Sequence, residues 1–179
     1  MRKPITSSRL KEFMSAFGSA VKSTANVYVV GGATAVLLDW RSSTIDVDLK
    51  LVPESDELLK SLPGLKERLQ MNIELASPDH FIPALPGWEQ RSLYIQRHGK
   101  LSFFHYDFYA QALAKIERGH ANDLVDVREM SNRRLIEPAR LLDLFSAIEG
   151  ALYRYPAVDP PSFRESVERI AAELSRQRD

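Results

Sequence analysis

Apolar and polar residues alternate along this chain with two different periods, and the periods divide it into elements. Leu10, Phe13, Met14 and Phe17 recur at helical spacing in "TSSRLKEFMSAFGSAVKS", with Ser7 or Ser8 placed to cap the helix. The run "VYVVGG" predicts a buried strand ending in a glycine turn, and "ATAVLLDW" predicts a short helix after it. In "TIDVDLKLV" the period falls to two: Asp46 and Asp48 point one way, Ile45, Val47 and Leu49 the other. "ESDELLKSLPGLKERL" predicts a helix broken or ended at Pro63-Gly64, and "QMNIELAS" a strand. "PDHFIPALPGWEQRS" carries three prolines and predicts a surface loop. "LYIQRHG" and "LSFFHYDFY" predict a hairpin that turns at Gly99-Lys100. The remainder predicts helices: "AQALAKIERG" ended by Gly119, "NDLVDVREMSNRR", and "PARLLDLFSAIEGALYRY" begun by Pro138. After a linker at "AVDPP", the last helix carries Phe163, Val167, Ile170 and Leu174 on one side.

This order predicts a mixed α+β fold, in which a mixed β-sheet has flanking helices and the C-terminal part is helical. Residues 1–128 are expected to form the core and 129–179 a helical region packed on it. Lys plus Arg and Asp plus Glu number 24 each, so net charge points to neither a nucleic-acid nor a membrane partner. The absence of cysteine excludes disulfides, thiolate metal sites and cysteine nucleophiles. No window approaches the roughly 20 apolar residues of a membrane span, and "MRKPITSSRLKEFM" lacks the apolar stretch of a signal peptide. A cytoplasmic chain with no membrane contact is the expectation.

Alternation brings the side chains of Asp46 and Asp48 to one strand face, roughly 7 Å apart at about 3.3 Å per residue. Two like charges that close need a positive group between them. A divalent cation such as Mg²⁺, which favours carboxylate oxygens and accepts phosphate oxygens as further ligands, meets that need. The Gly31-Gly32 pair allows a tight turn and close approach of a phosphate to backbone amides, and the following helix aims its N-terminal amides the same way. Ser42, Ser43 and Thr44 place hydroxyls just before the aspartates. Alone, each signal is ordinary: an Asp-x-Asp also describes a solvated strand edge, and a Gly-Gly a simple turn. Their combination in this order is far more specific. The four histidines have no metal-binding spacing, and the P-loop, dinucleotide-binding and nucleophile-elbow motifs are absent.

Strand, Gly31-Gly32, short helix, Arg-Ser-Ser-Thr and Asp46-x-Asp48 together resemble the nucleotidyltransferase fold of the DNA polymerase β superfamily. The resemblance is to its bacterial branch of AbiE-type toxins and related toxin nucleotidyltransferases. A second block, "ALAKIERGHANDLVDV", matches that branch's helical lysine and downstream Asp-Leu-x-Asp with Lys115, Arg118, Asp123 and Asp126. The matching blocks run from about residue 27 to 127.

The resemblance implies a transferase moving a nucleoside monophosphate from a nucleoside triphosphate to a hydroxyl acceptor, with Mg²⁺ or Mn²⁺ on Asp46 and Asp48. It implies a triphosphate contact for Lys115, and an orienting role towards Lys115 or the acceptor for Asp123 and Asp126. Gly31, Gly32, Thr34, Arg41, Ser42 and Ser43 would contact the nucleotide. Full members use a third metal carboxylate, for which Glu74 and Asp107 are the candidates. An arginine common before the second aspartate motif is replaced by Asn122. The expected acceptor is a tRNA or other RNA end, or a protein hydroxyl, and a cognate antitoxin is a further expected partner. The alternatives are adenylylation of a small molecule such as an aminoglycoside, and a catalytically silent binding module. Arg91, Arg97 and Lys100 interleave with Trp88, Tyr94 and Phe103 in a pattern that suits single-stranded nucleic acid but also an ordinary hairpin. Arg133, Arg134 and Arg140 add a basic rim.

Overall fold

The computed structural model describes residues 3–178. They form two compact units, one from residues 3–77 and 92–106, the other from 78–91 and 107–178. The sequence-based boundary after residue 128 falls inside a helix of the second unit.

The first unit is a five-stranded sheet with helices. Its elements are α1 (Ser7–Ala20), β1 (Ala25–Val30), α2 (Gly32–Leu37), β2 (Asp46–Val52), α3 (Asp56–Leu69), β3 (Asn72–Leu75), and a hairpin of two further strands, Leu93–His98 and Leu101–His105. With the helix Trp88–Arg91 of the second unit counted as α4, the hairpin strands are β4 and β5. The strand order is β3-β2-β1-β5-β4. β1 runs antiparallel to β2 and parallel to β5, β2 runs parallel to β3, and β4 pairs antiparallel with β5. The sheet is therefore mixed, as the element order predicts.

Period-two alternation divides the sheet faces. Val27 and Val29, Val47, Leu49 and Leu51, Ile73, Leu101 and Phe103 are buried in one core with Leu10, Phe13, Met14 and Phe17 of α1 and Leu58, Leu62 and Leu65 of α3. Asp46, Asp48 and Lys50 alternate to the opposite face and are half-buried. Ile45 departs from the expectation. It lies one residue ahead of β2, outside the ladder, and is 76% exposed.

Three further expectations are corrected. Pro63 neither breaks nor ends its helix, because α3 runs through it. A proline in mid-helix costs about 3 kcal/mol. Burying Leu58, Leu62 and Leu65 along one seam returns about 1.5–3 kcal/mol for each side chain, while Pro63 and Gly64 sit on the exposed side. The first helix has Thr6, not Ser7 or Ser8, at its cap position, and no side chain caps it. The proline-rich stretch is not simply a surface loop: Ile82 and Leu85 are fully buried and Pro78–His80 is a 3-10 turn.

The second unit is helical: α4 (Trp88–Arg91), α5 (Phe108–Arg118), α6 (Ala121–Asn132), α7 (Pro138–Glu149) and α8 (Pro160–Arg176). Pro138 opens α7 as expected, though the helix stops at Glu149 and a 3-10 turn, Leu152–Arg154, follows. Asp159 caps α8 by accepting from the Ser162 amide at 3.2 Å. Phe163, Val167, Ile170 and Leu174 are all buried, with Phe163 edge-on to Phe145 at 4.9 Å. Among the described residues no helix is long and apolar enough to cross a membrane.

Candidate functional site

The residues singled out by the sequence fall into two clusters, one in each unit. In the first, β1 hands the chain to α2 through Gly31 and Gly32. Gly31 has φ of 64°, in the left-handed region that favours glycine, and a Cβ placed on it would lie 3.4 Å from Asp48 Oδ2. A Cβ on Gly32 would collide with Thr44 Oγ1 and come within 3.4 Å of Arg41 Nη1. The two glycines thus let the turn close down on the entry to β2, one against the Asp48 carboxylate and the other against Thr44 and Arg41. Thr44 is anchored from outside the motif: its N–H and C=O pair with Ile5 at 3.0 and 2.7 Å. No sequence pattern signalled that bridge.

Asp46 and Asp48 lie on the same face of β2, and the parallel register sets Asp46 beside Asn72 and Asp48 beside Glu74. Asn72 Nδ2 donates to Asp46 Oδ1 at 2.6 Å and to Glu74 Oε1 at 2.7 Å. One neutral amide therefore orients two of the three carboxylates on this face. The bridging role of Asn72 depends on the β2–β3 register, which local sequence pattern does not carry.

The donor set fits a cation brought in by a ligand better than a resident one. Among the described residues no group of three or more Asp, Glu or His encloses a metal-sized site. Mg²⁺, however, is commonly held by one or two carboxylates together with substrate phosphates and waters. Two carboxylates on one face, with the glycine turn keeping side-chain bulk away from Asp48, supply that partial set.

Thr34 does not belong to the nucleotide side of the turn. It is fully buried, and its hydroxyl donates to the Val29 carbonyl at 3.1 Å. The same oxygen lies 3.1 Å from His105 Nδ1, and since its single proton is given to Val29, His105 Nδ1–H is the donor there. Thr34 thus pins the first turn of α2 to β1 and β5. Burial lowers the His105 pKa to about 4, so the ring stays neutral. Arg41, Ser42 and Ser43 lie in the segment between α2 and β2, with Ser42 exposed. With only six residues, α2 contributes a short turn of amides rather than a sizeable dipole.

In the second unit, Asp107 caps α5 through the Tyr109 amide at 3.2 Å and is clamped by Arg91 in a two-point ion pair of 3.2 and 2.7 Å. That commitment leaves Glu74, beside Asp48 on the paired strand, as the better placed of the two third-carboxylate candidates. It also removes Arg91 from the imagined basic strip. Phe103 leaves that strip as well, being core.

Gly119, left-handed at φ 72°, ends α5 by donating to the Lys115 carbonyl at 2.9 Å and turns the chain into α6. The turn brings the ends of the two helices together. Lys115 Nζ donates to Asp126 Oδ2 at 2.8 Å and Asp123 Oδ1 at 3.3 Å. Arg118 donates twice to Asp123, Nε to Oδ2 at 2.7 Å and Nη2 to Oδ1 at 2.5 Å. Lys115, Asp123 and Asp126 are each buried, and the two carboxylates are neutralised by Lys115 from within and by Arg118, whose side chain is 56% exposed, from the surface. Burial pushes the Asp123 carboxyl up, but the Arg118 hydrogen bonds and the Lys115 and Arg118 charges outweigh it and hold the group below its ordinary value. Asp123 and Asp126 thus both accept from Lys115 Nζ. Two of the three ammonium N–H groups are thereby used within the protein.

Residues 8–155 match the family described as "Nucleotidyltransferase of unknown function (DUF6036)". No curated protein and no solved structure matches the chain.

Proposed function

We propose that this chain, which belongs to that nucleotidyltransferase family, moves a nucleoside monophosphate from a nucleoside triphosphate to a hydroxyl on an RNA end such as that of tRNA. One observation carries the reading: Asp46 and Asp48 share a strand face with Glu74, directly beside a left-handed Gly31 that leaves room against the Asp48 carboxylate. Asp46 and Asp48 would hold Mg²⁺ or Mn²⁺, which supplies charge neutralisation at the phosphate oxygens. The chain's own contribution is positioning. Asn72 holds Asp46, the Gly31-Gly32 turn admits the triphosphate, and Arg41, Ser42 and Ser43 donate to its oxygens. The acceptor hydroxyl gives up its proton to water, its oxygen attacks the α-phosphorus in line, and pyrophosphate leaves with the electrons of the broken P–O bond. Lys115, Asp123 and Asp126 act in the second unit as a prearranged charge cluster that supports the helix turn. A toxin role with a cognate antitoxin belongs to the same proposal and rests on the sequence resemblance.

The test is incubation of the protein with each α-labelled nucleoside triphosphate, Mg²⁺ and total tRNA. Label entering RNA is the expected result. Label entering the protein itself would redirect the proposal to protein modification, and label on an aminoglycoside to small-molecule adenylylation. No transfer to any acceptor, together with no Mg²⁺-dependent triphosphate binding, would leave a silent binding module.

A further inference from the structure

The face of the sheet that carries the carboxylates also carries a row of aromatic rings that the transfer chemistry does not use. Cross-strand register sets Lys50 of β2 opposite Tyr28 of β1, Tyr28 opposite Phe104 of β5, and Phe104 opposite Tyr94 of β4. Partners directly opposite one another share a face, and Lys50 alternates with Asp46 and Asp48, so the row lies on their side of the sheet. Tyr28 and Phe104 stack at 5.3 Å, and Tyr94 meets Phe104 edge-on at 5.6 Å. Burial falls along the row: Tyr28 is enclosed, Phe104 is half-buried and Tyr94 is 56% exposed. A large ring held from behind by a second ring and open to solvent is an unusual use of an edge strand, where exposed aromatics invite association. The register break between Tyr94 and Gln96 brings Arg97 opposite Ser102, on the same face as Phe104. Arg97 Nε donates to the Gly99 carbonyl at 2.9 Å, which fixes the guanidinium at the end of the strand. The row therefore runs from Lys50, past the rings, to Arg97.

We infer that Tyr94, supported by Phe104 and flanked by Arg97, is a stacking platform for a base of a single-stranded RNA acceptor. Every base has a π-face, so a ring beside basic groups binds single strands without needing sequence. Distance decides which base it is. Three strand spacings of about 4.8 Å and two residues of about 3.3 Å put the Tyr94 and Asp48 backbones roughly 16 Å apart. That exceeds the span from a nucleotide's own base to its α-phosphorus. A nucleotide whose α-phosphorus sits at Asp46 and Asp48 cannot also stack on Tyr94, whereas an acceptor strand ending at the carboxylates reaches it with an upstream base. The inference rests on the proposed transfer reaction for the identity of the acceptor, but RNA binding can be measured without catalysis.

The experiment measures binding of the full chain to a fluorescent single-stranded RNA of roughly 12 nucleotides and, separately, to ATP with Mg²⁺, at one fixed salt concentration. Tyr94→Ala is expected to weaken RNA binding roughly tenfold, and Tyr94→Trp to retain it. ATP binding should be unchanged in both. Leu93→Ala, next along β4 but alternating to the other face, should leave RNA binding unchanged, and circular dichroism checks that each variant is folded. Asp48→Asn should lose transfer yet still bind RNA through Tyr94. Wild-type protein without RNA affinity, or Tyr94→Ala with wild-type RNA affinity, overturns the platform even if transfer to another acceptor is found. Tyr94→Ala that weakens ATP instead assigns the ring to the donor base and overturns the inference equally. RNA binding that depends on Tyr94 without any transfer refutes the proposed reaction while leaving the platform standing.

Discussion

Two pairs of aspartates in this chain solve the same electrostatic problem in opposite ways. Asp46 and Asp48 sit half-buried on a strand face, with an amide from Asn72 and the carboxylate of Glu74 as neighbours. Asp123 and Asp126 are buried at a helix turn, with Lys115 and Arg118 bonded to them. Removing a carboxylate from water without a partner costs several kcal/mol, so the buried pair requires cations supplied by the fold. A half-exposed pair keeps part of its hydration. It is therefore suited to meet a cation and a phosphate from outside. The first arrangement suits chemistry and the second suits architecture, although both begin as two closely spaced aspartates.

Asp48→Asn or Asp46→Asn separates the two pairs most sharply. On the proposed metal-holding role, loss of either carboxylate removes several kcal/mol of charge stabilisation, so transfer should fall about a thousandfold or more, while urea midpoints stay near wild type because a like-charge repulsion is also relieved. Retained transfer in both variants would refute the metal assignment. The next largest effect is the reverse case. Lys115→Met leaves two buried carboxylates with only Arg118, and should lower the unfolding free energy by about 3–5 kcal/mol in urea titrations.

Acidification distinguishes the units by where stability is lost. His105 titrates near 4 in the fold and near its ordinary 6.5 when unfolded, so the unfolded chain takes up the proton first. Stability is complete above about pH 6.5 and falls by about 3 kcal/mol as pH drops to 4. His105→Asn should flatten that slope in pH-dependent melting. Asp123 is depressed, so its contribution persists until the pH falls through its lowered pKa, below the ordinary carboxylate range. The smallest effect is expected at the glycine turn. Gly31→Ala forces a Cβ into a left-handed position, for about 1–2 kcal/mol of stability by calorimetry.

The local grammar of the chain was largely legible. Val27, Val29, Val47 and Leu49 announced strands by their period, and Gly119 and Pro138 marked helix boundaries. Pro63 was misjudged because propensity is local, whereas the three leucines that carry α3 past it are stabilised by partners distant in sequence. Thr34 was misjudged for a related reason. A hydroxyl after a glycine turn suits a phosphate or a backbone carbonyl equally well, and only the position of β5 brings His105 against it.

Period and composition by themselves determined where most strands and helices lie, that Asp46 and Asp48 share a face, and that the fold is mixed α+β. These follow from backbone geometry, which acts over a few residues. Only the tertiary structure decided which carboxylates meet a protein cation, that Asn72 spans Asp46 and Glu74, and that Tyr94 stands in register with Phe104. Those outcomes depend on strand order and helix packing, which bring together groups from 5 to 71 residues apart, and neither period nor propensity sets such pairings.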